Sequence, residues 1–116
     1  MTFALLALLF FKHFLADFVM QDSKMVAEKG TYGAWGGIVH SAQHGFLTFW
    51  ILLIFNPFLA LPLALLDAML HYHIDWAKMN LSYDLTPNDH KFWVYIGADQ
   101  LLHSLTYLGF VYVAIS

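Results

Sequence analysis

Four apolar stretches, each close to the length that crosses a bilayer, occupy most of a chain of 116 residues. They run over about 3–20, 33–55, 58–78 and 91–115, and a membrane-spanning helix needs about 20 such residues. What remains is enough for connections and nothing else, so no second domain fits. Asn56-Pro57 between the second and third stretches is a tight turn signal, because proline lacks an N–H and fixes φ. The expected fold is all-α: a four-transmembrane-helix antiparallel bundle in which short loops force sequential helices to pack.

Composition points the same way. Charged residues make up 11% of the chain, against about 25% in soluble domains, and a soluble domain of this size needs polar residues over the third of its surface that folding leaves exposed. All five basic residues are lysines, in no run, so the clustered positive footprint of a nucleic-acid binder is missing. With no cysteine, any metal must use nitrogen and oxygen ligands. The N-terminal run lacks the basic region and cleavage site of a secretory signal and reads as a retained first helix. Lys24, Lys29, Lys78 and Lys91 lie in or beside the longer polar segments around 21–31 and 80–90. Positive charge marks the cytoplasmic side, which places both termini outside the cytoplasm, in a bacterial inner membrane. Lys12 falls inside the first stretch, where its stem can snorkel. Trp35, Trp50, Trp76 and Trp93 lie near the ends of stretches, as interfacial anchors do, and Gly33, Gly36, Gly37 and Gly45 allow close helix approach.

Ionisable residues sit where lipid should exclude them. The first stretch holds His13 and Asp17, the second His40 and His44, the third Asp67, His71 and Asp75, and the fourth Asp99 and His103. Every neighbouring pair is four apart, which puts both side chains on one helix face. Chance would give about two such pairs among fifteen His and acidic residues; there are five. Measured from the lysine-bearing end of each stretch, the four pairs lie at overlapping depths of roughly 5–18 Å, with Asp67 deeper and set aside. Such groups are costly in a bilayer and face the interior. A divalent cation reconciles them, since it neutralises carboxylates and takes neutral imidazoles as ligands. The candidate metal ligands are His13, Asp17, His40, His44, His71, Asp75, Asp99 and His103, with zinc favoured and manganese or iron as alternatives. Asp17, Asp75 and Asp99 are also the candidates for general base or for orienting a ligand. The competing explanation is interhelical hydrogen bonding that glues helices together; haem and a proton relay are weaker ones. Lys78 can pair with Asp75 or bind an anionic substrate, and Gln21, Gln43 and Gln100 suit interhelical hydrogen bonds. His73, on the opposite helix face, and His90, in a loop, are left out.

His13-x-x-x-Asp17-Phe18-x-x-Gln21, His40 with His44, His71 with His73-Ile74-Asp75 and Lys78, and Asp99-Gln100-x-x-His103 together resemble a small bacterial and phage membrane-protein family, domain of unknown function 3307, over nearly the whole chain. The resemblance implies the helical membrane fold and the same polar positions, and implies no reaction. A looser similarity links the intramembrane histidines to membrane-bound metal-dependent hydrolases. The expected function is therefore a membrane-embedded, divalent-metal-dependent hydrolase of a lipid or a membrane-accessible phosphoester or amide. Its partners are membrane lipids and a lipid-like substrate, with no nucleic acid. The alternatives are a metal or proton carrier, for which a homo-oligomer can supply a path between protomers, and a structural bundle held by the His/Asp pairs.

Overall fold

The computed structural model describes residues 1–116. It is all-α, with helices α1 (Thr2–Phe14), α2 (Ser23–Glu28), α3 (Trp35–Phe55), α4 (Pro57–Leu81) and α5 (His90–Ile115), and a π-helical segment, Leu15–Val19, continuing α1. Thr2–Val19, Trp35–Phe55 and Pro57–Leu81 are long and apolar enough to cross a membrane. The expected fourth span is less apolar: α5 is 26 residues long but opens on His90-Lys91 and carries Asp99, Gln100 and His103. α1 packs on α3 and α5, and α4 packs on α3 and α5, closing a ring. Its long axis of 42 Å is comparable to a bilayer with its headgroups, about 40–45 Å.

The ring is apolar at one end and polar at the other. Leu5, Leu9, Leu52, Ala60, Leu63, Tyr107, Phe110, Val111 and Ala114 form the hydrophobic core beside the α3–α4 turn. That turn is uncharged and tight: Pro57 is the first residue of α4, where its missing N–H costs nothing, and the Asn56 side chain donates to the Ala114 carbonyl of α5 at 3.0 Å. Outside, the helices present Phe3, Phe46, Ile54, Phe58 and Leu65, all more than half exposed, a surface suited to lipid. Trp35, Trp50 and Trp93 are likewise exposed; Trp76 instead packs edge-on against Tyr32, with ring centroids 5.6 Å apart.

The polar stretch after the first span is not simply a loop. Asp22 caps α2 by accepting from the Met25 N–H at 2.8 Å, which satisfies one of the donors every helix start leaves free. α2 lies on the start of α3, where Glu28 accepts from the Gly36 N–H at 2.6 Å. A Cβ on Gly36 would lie 2.6 Å from the same Glu28 oxygen, and one on Gly37 3.0 Å from the Lys29 Cα. Helix α3 therefore starts at Trp35, with Gly33 just before it at φ +86°, a conformation that favours glycine. This docking turns the Lys29 side chain inward; it is 6% exposed, so it is no free loop charge.

Gly45 sets the spacing of α3 and α4: a Cβ there would lie 2.8 Å from the Ala64 carbonyl oxygen and 3.0 Å from the Ala68 Cβ. Gly109 on α5 has open space at the same point. Gly45→Ala is expected to destabilise by about 1–3 kcal/mol through overpacking, and Gly109→Ala to stabilise by up to about 1 kcal/mol through helix propensity. Thermal unfolding of the two variants in one detergent, read against the unaltered chain, tests the contrast.

Candidate functional site

All eight sequence-derived candidates meet in the polar half of the ring. Three overlapping sets bring their ligand atoms within 4.8 Å of one another: His13, Asp17, His44 and His71; His40, His71 and Asp75; and Asp75, Asp99 and His103. Every member except the half-buried His13 is buried. The i,i+4 spacing accounts for the pairing along each helix, and the first pair has an added device. The π-helical segment, closed by the Met20 N–H donating to the Leu15 carbonyl at 2.8 Å, widens the turn that carries Asp17. Such bulges are frequent at functional sites.

Asp17 is the hub. Its Oδ1 lies 2.7 Å from His44 Nε2, 3.0 Å from His40 Nε2 and 3.4 Å from His71 Nε2, and its Oδ2 lies 3.1 Å from His13 Nε2. Asp75 faces the same imidazoles from α4. Its Oδ2 is 3.1 Å from His71 Nε2 and 3.4 Å from His40 Nε2, and its Oδ1 is 3.3 Å from His103 Nε2. The Nε2 atoms of His40 and His71 are themselves 3.2 Å apart. Asp99 Oδ1 is 3.3 Å from His103 Nε2. The imidazoles of His44, His71 and His103 form a stack, with centroid separations of 3.5 and 4.0 Å.

Several of these polar atoms have no hydrogen-bond partner although they are buried: Asp75 Oδ2, Asp99 Oδ1, and the Nδ1 atoms of His40 and His71. Buried polar groups are nearly always paired, so this concentration in one cluster marks the place where the protein's own groups do not saturate one another.

Lysines surround the cluster in a way the sequence reading did not expect. Lys12 does not snorkel. It is 2% exposed and donates to Asp67 Oδ2 at 2.7 Å and to His44 Nδ1 at 3.1 Å, while the Thr48 hydroxyl donates to the same Asp67 oxygen at 2.5 Å. Lys29 Nζ is 3.6 Å from Asp75 Oδ2 and donates to Gln21 Oε1 at 3.0 Å. Lys78 faces Asp99 at 3.9 Å rather than Asp75. Two of the four lysines used to orient the chain thus point into the site. His13 is held from both sides, by the Tyr107 hydroxyl at Nδ1 and by Gln100 Oε1 at Nε2, each 2.9 Å away. Gln100 also donates to Asp99 Oδ2 at 3.0 Å. His73, excluded from the sequence, is exposed and bonds Tyr32 and the Met69 carbonyl.

Thr48 and Tyr107 were not singled out in the sequence, and Lys12 and Asp67 were named there but left outside the site; for three of the four a signal was present. Thr48 lies four residues after His44, Asp67 four before His71 and Tyr107 four after His103, so each continues a ladder already recognised. Lys12→Met leaves the buried Asp67 carboxylate without its cation and is expected to cost about 3–5 kcal/mol. Lys12→Met with Asp67→Asn removes both charges together and is expected to recover most of that loss. Unfolding free energies of the two singles and the double in a mutant cycle check this.

The family model for a protein of unknown function, DUF3307, matches residues 5–116. No curated protein and no solved structure matches the chain. The matched residues take in all the polar positions of the site and every helix but the first three residues of α1, and the chain belongs to the DUF3307 family.

Proposed function

We propose that this is an integral membrane protein, with α1 and its π-helical continuation, α3, α4 and α5 as an antiparallel four-span bundle in a bacterial inner membrane and both termini outside the cytoplasm. Its polar half binds a divalent metal, with zinc first and manganese or iron as alternatives. Its activity is metal-dependent hydrolysis of a lipid or a membrane-accessible phosphoester or amide.

One geometric observation carries the metal assignment. Ligand atoms around a tetrahedral ion with bonds of about 2.0–2.1 Å are separated by about 3.3–3.4 Å. Asp17 Oδ1, His40 Nε2, His71 Nε2 and Asp75 Oδ2 have five separations between 3.0 and 3.4 Å. Hydrogen bonds alone account poorly for this grouping. If both Nε2 atoms carry protons toward the carboxylates, two N–H groups face each other at 3.2 Å, and Asp75 Oδ2 is still unbonded. The donor set, two imidazoles and two carboxylates, is one that zinc, manganese and iron accept.

In this reading Asp17, His40, His71 and Asp75 hold the ion. A divalent ion there supplies Lewis acidity and lowers the pKa of a neighbouring water toward neutrality. His13 and His44 act one step out: Lys12 donates to His44 Nδ1, which leaves Nε2–H to donate to Asp17, and the Tyr107 hydroxyl on His13 Nδ1 gives His13 the same role. Partners of this kind fix ligand orientation. Asp99, with its free buried Oδ1, is the proton acceptor, and His103 lies between it and Asp75. A carrier is less well supported, because the apolar core from Leu5 to Ala114 closes the other half of the ring and leaves no continuous polar path through one chain.

The test is elemental analysis of the chain purified in mild detergent. One equivalent of zinc, manganese or iron is expected, falling to below about a tenth in His71→Ala and Asp75→Asn. Asp99→Asn is expected to keep its metal and lose turnover by about 100-fold or more. A metal-free chain that also refuses metal on reconstitution leaves a hydrogen-bonded bundle and removes the hydrolase.

A further inference from the structure

A groove runs down the outer seam between α3 and α4, away from the His/Asp cluster. The part nearer the polar half, about 480 Å³, sets Ile38 and Ala42 of α3 opposite Leu65, Ala68 and Met69 of α4. A second part of about 330 Å³ shares Ala42, Leu65 and Ala68 with the first and continues to Phe49 and Leu61, so the two form one channel. The seam is hollow because its floor is built from small residues: Gly45 brings the two helices into contact, and Ala42 and Ala68 leave the space above them open. From Ile38 to Phe49 on α3, and from Tyr72 to Leu61 on α4, the channel covers about 16 Å of helix. Half the hydrocarbon thickness of a bilayer is about 15 Å. The channel therefore has the length of one acyl chain in one leaflet.

Its mouth, formed by Tyr32, Gly33, Tyr72 and His73, is polar, and one proton there is left over. His73 Nδ1 lies 2.7 Å from the Met69 carbonyl oxygen, which can only accept, so Nδ1 carries the ring proton and Nε2 accepts from the Tyr32 hydroxyl at 2.9 Å. The Tyr72 hydroxyl oxygen accepts from the Gly33 N–H at 2.7 Å, and the Tyr32 ring packs edge-on against Tyr72 with centroids 5.3 Å apart. Nothing in the protein takes the proton of the Tyr72 hydroxyl, which stands level with the start of α3, where that helix enters the apolar region. No lysine lines the groove, so its mouth offers a neutral donor and no cation for a phosphate. The ester carbonyls of a phospholipid lie between headgroup and acyl chains, and are acceptors of matching chemistry and depth. The geometry points to a site for one ester-linked phospholipid, its acyl chain lying over Ala42 and Ala68 and its ester carbonyl accepting from the Tyr72 hydroxyl. This site rests on the membrane placement proposed above and is independent of the metal.

The probe is dioleoylphosphatidylcholine, set against its diether analogue, which keeps the chains and the headgroup and replaces both ester carbonyls by methylenes. Each is titrated into the full chain in mild detergent with a chelator present, so that no metal-dependent turnover intervenes, and native mass spectrometry counts lipids per chain. One retained ester lipid per chain is expected, held about three- to tenfold more tightly than the ether, the worth of one hydrogen bond. Tyr72→Phe keeps the ring and is expected to bring the ester down to the affinity of the ether while leaving the ether unchanged. Ala42→Leu fills the groove from an exposed position and is expected to weaken both lipids by about tenfold or more. Tyr112→Phe, an exposed tyrosine far along α5, is expected to change neither. Equal affinity for ester and ether in the unaltered chain overturns the carbonyl contact, and lipid retention that survives Ala42→Leu overturns the groove. A change from dimer to monomer in Ala42→Leu with lipid binding unaltered assigns the groove to a second copy of the chain and overturns the lipid site. All of these outcomes leave the metal reading standing, whereas a chain that stays in solution without detergent overturns the membrane placement and the lipid site together.

Discussion

Everything in the polar half depends on keeping the Asp17 carboxylate buried. An ionised carboxylate removed from water is tolerable only when every lone pair is matched, and Asp17 has imidazoles from α1, α3 and α4 within 3.4 Å of its two oxygens. It joins three helices at a single point. The π-helical turn under it, the glycine contacts that bring α2 and α3 together and the Gly45 approach of α3 to α4 all act to bring those helices close enough. Moving any one of them by an ångström would lengthen several of these contacts beyond hydrogen-bonding range.

The two halves of the ring solve different problems. Where Leu5, Leu9, Leu52 and Phe110 pack, tight packing between apolar helices is sufficient, and an uncharged turn of the single residue Asn56 closes that end. Where the His/Asp ladders run, attraction comes from a few strong polar contacts, and it is there that the longer connections lie. α2 belongs to this second half: its cap at Asp22 and its hold on Gly36 bring Lys29 over Asp75, so a segment that looks like a connection supplies a charge to the interior.

Much of this was legible in the sequence because helices impose a period. The i,i+4 ladders, with depth used to set Asp67 aside, identified the eight residues that meet, since the face of a long helix follows from residue spacing. What the ladders could not carry was the direction of a flexible side chain. Lys12 sits one residue before His13, and a lysine in an apolar stretch normally reaches outward; its inward course depends on Asp67, 55 positions away, which no local pattern reveals. Lys29 was misread for the same reason, because the short helix that turns it inward is defined by its contact with α3. The π-helical segment was equally hidden, as nothing in Leu-Ala-Asp-Phe-Val distinguishes it from ordinary α-helix. The polarity of α5 was visible in Asp99, Gln100 and His103, and α5 is the one long helix that falls short of the apolarity of the other three.

Two buried polar networks therefore lie side by side in one small protein, and they differ in kind. The Lys12–Asp67–Thr48 group pairs its charges directly: one Asp67 oxygen accepts from an ammonium and a hydroxyl, and the ammonium also reaches His44 and lies 4.6 Å over the Tyr107 ring. It is what a chain would build if it needed only to hold helices together. The neighbouring cluster leaves Asp75 Oδ2, Asp99 Oδ1 and two imidazole Nδ1 atoms unmatched, although Gln21, Gln100 and Ser104 lie close by in sequence and are spent on other contacts. Each unmatched buried group costs about 1–3 kcal/mol. Hydrogen-bonded glue supplies no return for that cost, and the proposed ion is the ligand that would supply it, while the neighbouring Lys12–Asp67 pair meets its own charges without one.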